Sequence, residues 1–263
     1  MNILDKIIAH KEIEVAAAKA RVSVAELMQS EFFKRPTFSL KQFLLDDTKT
    51  GIIAEFKRQS PSKGVINGTA NVLDVTTAYT LHGASRLSVL TDEHFFGGSV
   101  EDLRKARVNN IPILRKDFMI DEYQVVEARA IGADVILLIA ACLTPARVKE
   151  LATFAKSMQL EVLLELHTEE ELQHICDETE IVGINNRDLK TFTVDINRSI
   201  ELSKKIPADK IKIAESGIHD VETIGIFRRA GFKGFLIGEN FMKQADPTIA
   251  FAGFVQQLNA KVQ

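Results

Sequence analysis

The feature that most constrains the fold is a repeat. Between residues 51 and 238 short apolar, β-branched runs alternate with amphipathic stretches: GIIAEF (51–56), RLSVLT (86–91), IPILR (111–115), DVILLIA (134–140), LEVLLEL (160–166), IVGIN (181–185), IKIAES (211–216) and GFLIG (234–238). The segments between them, such as VEDLRKARVNN, TPARVKELATFAKSMQ, TEEELQHICDE and INRSIELSKKIP, carry apolar residues at helical spacing, and several begin with a capping Asp, Ser or Thr. Strands alternating with helices predict a parallel sheet. Eight such units in 263 residues fit a parallel (β/α)8 TIM barrel, whose usual size is about 250 residues. The rival, an open doubly wound sheet, usually carries a Gly-rich turn after its first strand, and KRQSPSKG contains no GxGxxG. Residues 1–48 precede the first unit, and ILDKIIAHKEIEVAAAKA within them reads as a helix with a repeating apolar face. A segment that short rarely holds a core of its own. The expectation is one barrel domain over residues 1–263, with 1–48 as an N-terminal helical extension.

The apolar runs end in polar groups again and again. Period-two alternation puts Ile53, Glu55 and Lys57 on one face of the first strand and Ile52, Ala54 and Phe56 on the other. Lys116 follows the third strand and shares a face with Leu114, while Arg115 points the opposite way; Glu165 shares a face with Leu163; Asn185 and Arg187 follow the sixth strand, and Glu215 and Ser216 the seventh. A single charge at a strand end is ordinarily a solvated loop residue or a surface ion pair. Five strands with the same pattern point instead to one site, because a barrel gathers the C-terminal ends of its strands into one mouth, where barrel enzymes place their chemistry. A buried acid among buried ammonium groups is the material of proton transfer.

Other functions are excluded by what the chain contains. With 36 acidic against 33 basic side chains and a formal net charge of -3, nothing draws it to nucleic acid or an anionic membrane, and a small molecule is the expected partner. MNILDKIIAHKEIEV is broken by charges where a signal peptide has an unbroken apolar core, and the longest apolar run, VILLIAACL, is too short to span a bilayer. A cytoplasmic protein is expected. Cys142 and Cys176 are the only cysteines, with no CxxC and no HExxH, so neither disulfides nor a metal site are expected. In AESGI and LIGENF, glycine stands at the exits of strands seven and eight. Given a barrel, loops in these positions commonly hold a phosphate.

IIAEFKRQSPSKG, LSVLTDEHFFGGS, ILRKDFMIDEYQVVEARAIGADVILLI, GINNRDL, IAESGI and LIGENFM closely resemble the indole-3-glycerol phosphate synthase family of tryptophan biosynthesis, from the N-terminal helix to strand eight. The resemblance implies a cofactor-free lyase that converts 1-(2-carboxyphenylamino)-1-deoxyribulose 5-phosphate to indole-3-glycerol phosphate with loss of carbon dioxide and water. By position in these motifs, Lys116 resembles the general acid that protonates the developing alkoxide, and Glu165 its partner in proton transfer and in stabilising charge on the substrate nitrogen. Glu55, Lys57, Asn185 and Glu215 match the family's other polar site positions, Lys57 facing substrate anionic groups. Ser60, Pro61, Phe96, Phe118 and Arg187 match substrate-pocket positions, and Ser216, Gly217 and Gly238 would surround the phosphate. Glu239 departs from members with Ser at that place, which puts a side-chain contribution there in doubt.

The related phosphate-binding isomerase of the same pathway would need a Cys at the end of strand one, where Glu55 and Lys57 stand instead. A catalytically silent barrel would be expected to lack Lys116 or Glu165, and both are present. A monomer is expected, with room for association with other enzymes of the pathway. On its own strand Lys57 has Glu55 as a neutralising partner, whereas Lys116 has no acid on its face of IPILRK. Lys116 is therefore the lysine expected to have a lowered pKa.

Overall fold

The computed structural model describes residues 3–188 and 191–262. Met1, Asn2, Leu189, Lys190 and Gln263, which fall within the expected single domain, lie outside the described residues. Eight parallel strands close into a barrel: β1 Ile52–Phe56, β2 Arg86–Leu90, β3 Ile113–Lys116, β4 Val135–Ile139, β5 Glu161–Leu166, β6 Ile181–Asn185, β7 Ile211–Glu215 and β8 Phe232–Ile237. Each pairs with its sequence neighbours, and β1 closes the ring on β8 with Ile53 opposite Leu236. All eight expected strands are present, with ends shifted by up to two residues. Lys116 belongs to β3 itself instead of following it.

Helices cover the outside and begin where the caps promise. Asn71, Ser99, Thr144, Asp195 and Asp220 each accept a backbone N–H of the first helical turn, which satisfies a donor with no partner inside the helix. Asp121 and Gln124 form a reciprocal capping box. The helix expected over TEEELQHICDE is a correction: that segment forms only a short 3-10 turn, Glu170–His174. Glu171 turns back there to accept the backbone N–H groups of His167 and Thr168, so its carboxylate ties the segment to the end of β5 instead of lying along a helix. At the other end of the barrel the helix Leu40–Leu45 plugs the opening, with Leu40 and Leu44 buried against the barrel interior.

The alternation read from the first strand holds around the ring. Ile52, Ala54 and Phe56 pack outward into the layer between strands and helices. Ile53, Leu114, Leu163 and Ile213, from the odd strands, fill an interior layer. In a barrel of this kind the interior is built of four-residue layers from alternate strands. Two residues further along the same odd strands stand Glu55, Lys116, Glu165 and Glu215, so one complete layer of the core is ionic.

The N-terminal helix Ile3–Arg21 packs across the mouth with Ile7, Lys11 and Val15 buried. Lys11 is fully buried, and its Nζ lies 2.9 Å from both Asp92 and Asp117. Burial alone would lower its pKa, but the two aspartates and Glu14 outweigh that and hold the ammonium well above its ordinary value. Asp117 directly follows Lys116, so this buried pair anchors the extension to the strand that carries the lysine. Among the described residues no helix is long and apolar enough to cross a membrane.

Candidate active site

The ionic layer converges on Lys116. Its Nζ lies 2.7 Å from Glu165 Oε2 and 2.8 Å from Glu215 Oε2. Lys57 Nζ lies 2.8 Å from Glu55 Oε1, as the first-strand alternation suggested. The expectation that Lys116 has a lowered pKa is overturned. Burial does push it down, but Glu165, Glu215 and Glu55 together outweigh burial and raise it above its ordinary value. The acids come from β5, β7 and β1, which a reading confined to the lysine's own strand cannot reach.

The two carboxylates in contact with Lys116 are not equivalent. Burial would raise Glu165, but Lys116 and His167 dominate and hold it well below the carboxylate range. Glu215 is pushed up to about 7 because burial and the charge of Glu165 outweigh the help from Lys116. Glu165 Oε1 also accepts a hydrogen bond from Asn185 Nδ2 at 3.1 Å, and Asn185 Oδ1 accepts from the Arg187 backbone N–H at 3.0 Å. An acid held toward its charged form and one pushed up toward neutrality thus share a single ammonium.

Glycines in β6 and just after β8 leave room for these side chains. A Cβ on Gly183 of β6 would stand 2.2 Å from Glu215 Oε1, and one on Gly238 would stand 2.6 Å from Glu55 Oε1. Gly238 therefore accommodates an acid of the ionic layer whatever its backbone contributes to phosphate. Gly217 has φ of +70° and faces Val194, whose Cγ1 would lie 2.3 Å from an added Cβ, so both its conformation and its packing require glycine.

Above the layer lies one pocket, lined by Glu55, Lys57, Ser60, Pro61, Phe96, Lys116, Phe118, Glu165, Asn185, Arg187, Glu215, Ser216, Gly217 and Gly238. Every site residue expected from the sequence lines it. Phe96 and Phe118 face one another with ring centroids 5.9 Å apart, and with Pro61, Leu90 and Ile7 they form an apolar side suited to an aromatic ring. Arg187, also in the lining, donates to Ser62 Oγ at 3.2 Å and pairs with Glu239 at 3.1 Å. Burial works against the Glu239 charge, but Arg187 prevails and holds it below its ordinary value.

Two further residues bear on the site. His167 Nε2 lies 3.1 Å from Glu165 Oε1; its place two residues beyond Glu165 is the signal in the sequence. Lys11 interrupts the four-residue spacing of Ile7 and Val15, and a lone cation inside an apolar helical stripe was the available clue.

A family model described as indole-3-glycerol phosphate synthase matches residues 4–253. An indole-3-glycerol phosphate synthase of Bacteroides thetaiotaomicron is 46% identical over 258 residues, covering 98% of this chain and 99% of the relative. One from a Polaromonas species is 45% identical over 256 residues, covering 95% and 97%. Among solved structures, the α subunit of tryptophan synthase from Legionella pneumophila superposes with a TM-score of 0.62 at 12% identity, covering 84% of this chain and 97% of that one. That similarity is one of barrel fold.

Proposed function

Since the chain belongs to the indole-3-glycerol phosphate synthase family, we propose that the ionic layer at its barrel mouth divides the family's reaction among Lys116, Glu165, Glu215 and Lys57. The reaction is ring closure, decarboxylation and dehydration of 1-(2-carboxyphenylamino)-1-deoxyribulose 5-phosphate to indole-3-glycerol phosphate, which makes the chain a carboxy-lyase acting on a phosphorylated small molecule. The observation that carries the division of roles is the placement of Lys116 Nζ within 2.8 Å of two glutamates of opposite pKa behaviour.

Lys116 donates a proton to the ketone oxygen as the ring carbon attacks. An alkoxide is far more basic than any ammonium, so a raised lysine pKa does not prevent the transfer. Glu165, held as an anion, stabilises the positive charge that develops on the substrate nitrogen. The substrate enters with a carboxylate and leaves neutral carbon dioxide and water, so each turnover consumes one proton. Glu215, ionising near neutrality and touching Lys116, is suited to return it. Lys57, tethered by Glu55, remains a cation toward substrate anionic groups and shares in the dehydration; Asn185 orients Glu165. Phe96, Phe118 and Pro61 take the aryl ring, Ser60 and Arg187 line the approach, and Ser216, Gly217 and Gly238 surround the phosphate.

No cofactor enters this scheme. The working form in this reading is a monomer, with association with other pathway enzymes left open to it, and the setting is the cytoplasm. Residues 1–48 and the barrel form one folding unit, a reading supported by the burial of Lys11 between Asp92 and Asp117. The test is incubation of the purified protein with the carboxyphenylamino ribulose phosphate in the presence of a chelator. Indole fluorescence should appear, and its absence would favour a barrel that binds the ligand without turning it over.

A further inference from the structure

We propose that His167 is a positioning residue for this reaction: as an imidazolium wedged between Glu165 and Glu171, it fixes the Glu165 carboxylate and keeps it anionic while Lys116 passes through its neutral form. The proposal rests on Lys116 as the acid and Glu165 as its partner.

The problem arises from the shared ammonium. When Lys116 gives up its proton, Glu165 and Glu215 both lose the cation 2.7–2.8 Å away. Glu215 can become neutral, since its pKa is already pushed up to about 7. Glu165 cannot do so without losing the charge that stabilises the substrate nitrogen. A second cation that takes no part in the proton transfer resolves this.

His167 is placed to be that cation. It is buried at the end of β5, its Nε2 is 3.1 Å from Glu165 Oε1, and its Nδ1 is 3.7 Å from Glu171 Oε2. The two ring nitrogens thus each face a carboxylate. Glu171 is itself fixed, accepting the His167 backbone N–H at 2.6 Å. Burial disfavours the imidazolium, yet Glu165 and Glu171 together raise the ring to about 9.

Among the described residues, Lys116 is the one other cation that pairs with Glu165. On the 3-10 turn, the His174 ring is directed to the carbonyls of Glu171 and Leu143, at 3.0 and 2.9 Å, and not to Glu165. Beside β4, burial first, then Glu165 and Glu171, push the Cys142 thiol up, so it stays neutral. From β6, Asn185 offers only a neutral amide to Glu165. Across the barrel, Lys116 is the other cation on Glu165, with Glu215 beyond it.

The experiment combines an NMR titration of the His167 ring in the wild type, Glu165→Gln and Glu171→Gln with pH–rate profiles of wild type and His167→Gln. The wild-type ring should stay protonated through pH 8, and each glutamine variant should lower its midpoint by about one unit or more. His167→Gln should lose about 10- to 100-fold in kcat, with KM within about threefold, and the acid limb of its profile should move to higher pH as Glu165 becomes easier to protonate. A ring neutral at pH 7 in the wild type would overturn the proposal, and so would a variant profile that coincides with the wild type or is lowered equally at every pH. The wild-type titration carries the test should His167→Gln fail to fold. Full turnover by Glu165→Gln would instead overturn the role given to Glu165, and the positioning role with it, whatever the ring's titration.

Discussion

Glu215 reaches Lys116 through a space left by Gly183: a Cβ at residue 183 would stand 2.2 Å from Glu215 Oε1. β6 is paired on both sides, to β5 and β7, so the carboxylate must yield before the backbone does. Gly183→Ala should lower kcat by about tenfold or more and cost about 1–3 kcal/mol through overpacking. Steady-state kinetics with thermal unfolding measures both. An unchanged kcat would mean that the position of Glu215 does not matter to turnover.

Glu165→Gln preserves shape but removes the fixed anion. Lys116 retains Glu215 as a partner at 2.8 Å, so the site should remain assembled. We expect kcat to fall by about 100-fold or more while the affinity of an analogue that cannot cyclise changes little. A rise in KM at constant kcat would make Glu165 a binding residue alone.

The two lysines should separate by assay. Lys57, paired with Glu55 at 2.8 Å, is assigned to binding, so Lys57→Met should weaken the same analogue. Lys116→Met should leave its binding within about threefold, less than 1 kcal/mol. Calorimetric titration of both variants decides, and a larger loss for Lys116→Met would reverse the assignment.

His167 also gives stability a pH signature. Its folded pKa of about 9 lies above the ordinary histidine value of about 6.5. The native state therefore holds more protons between those values, and the stabilisation is complete below the lower one and lost as pH rises through the higher. The full span amounts to on the order of 3 kcal/mol. Urea unfolding at pH 6 and pH 9.5 should show this decline in the wild type and a much flatter dependence in His167→Gln. Glu215, raised to about 7, acts in the same sense at lower pH, from about 4.3 upward, so the two contributions occupy different windows.

Much of this architecture was legible in the sequence because the decisive signals are local. Alternation in IIAEFK placed Glu55 and Lys57 on the interior face with Ile53, and the Asp, Ser and Thr caps marked where helices begin. What could not be read was set by contacts between strands distant in sequence. The acids that govern Lys116 lie 49 and 99 residues away, so nothing in IPILRK predicts their effect. The role of Gly183 depends on the register that sets it beside Ile213, two residues before Glu215 on β7. TEEELQHICDE carries a helical pattern, but Glu171 is drawn to the backbone at the end of β5, and a tertiary contact overrides local preference.

The central claim is that Lys116, at the focus of the ionic layer, is the proton donor for ring closure. The most direct measurement is single-turnover formation of indole-3-glycerol phosphate by wild type and Lys116→Met at equal protein concentration, with circular dichroism to establish that the variant is folded. The account predicts a folded variant whose rate is reduced by about 10²- to 10⁴-fold. A folded Lys116→Met protein that retains more than half of the wild-type rate would contradict it.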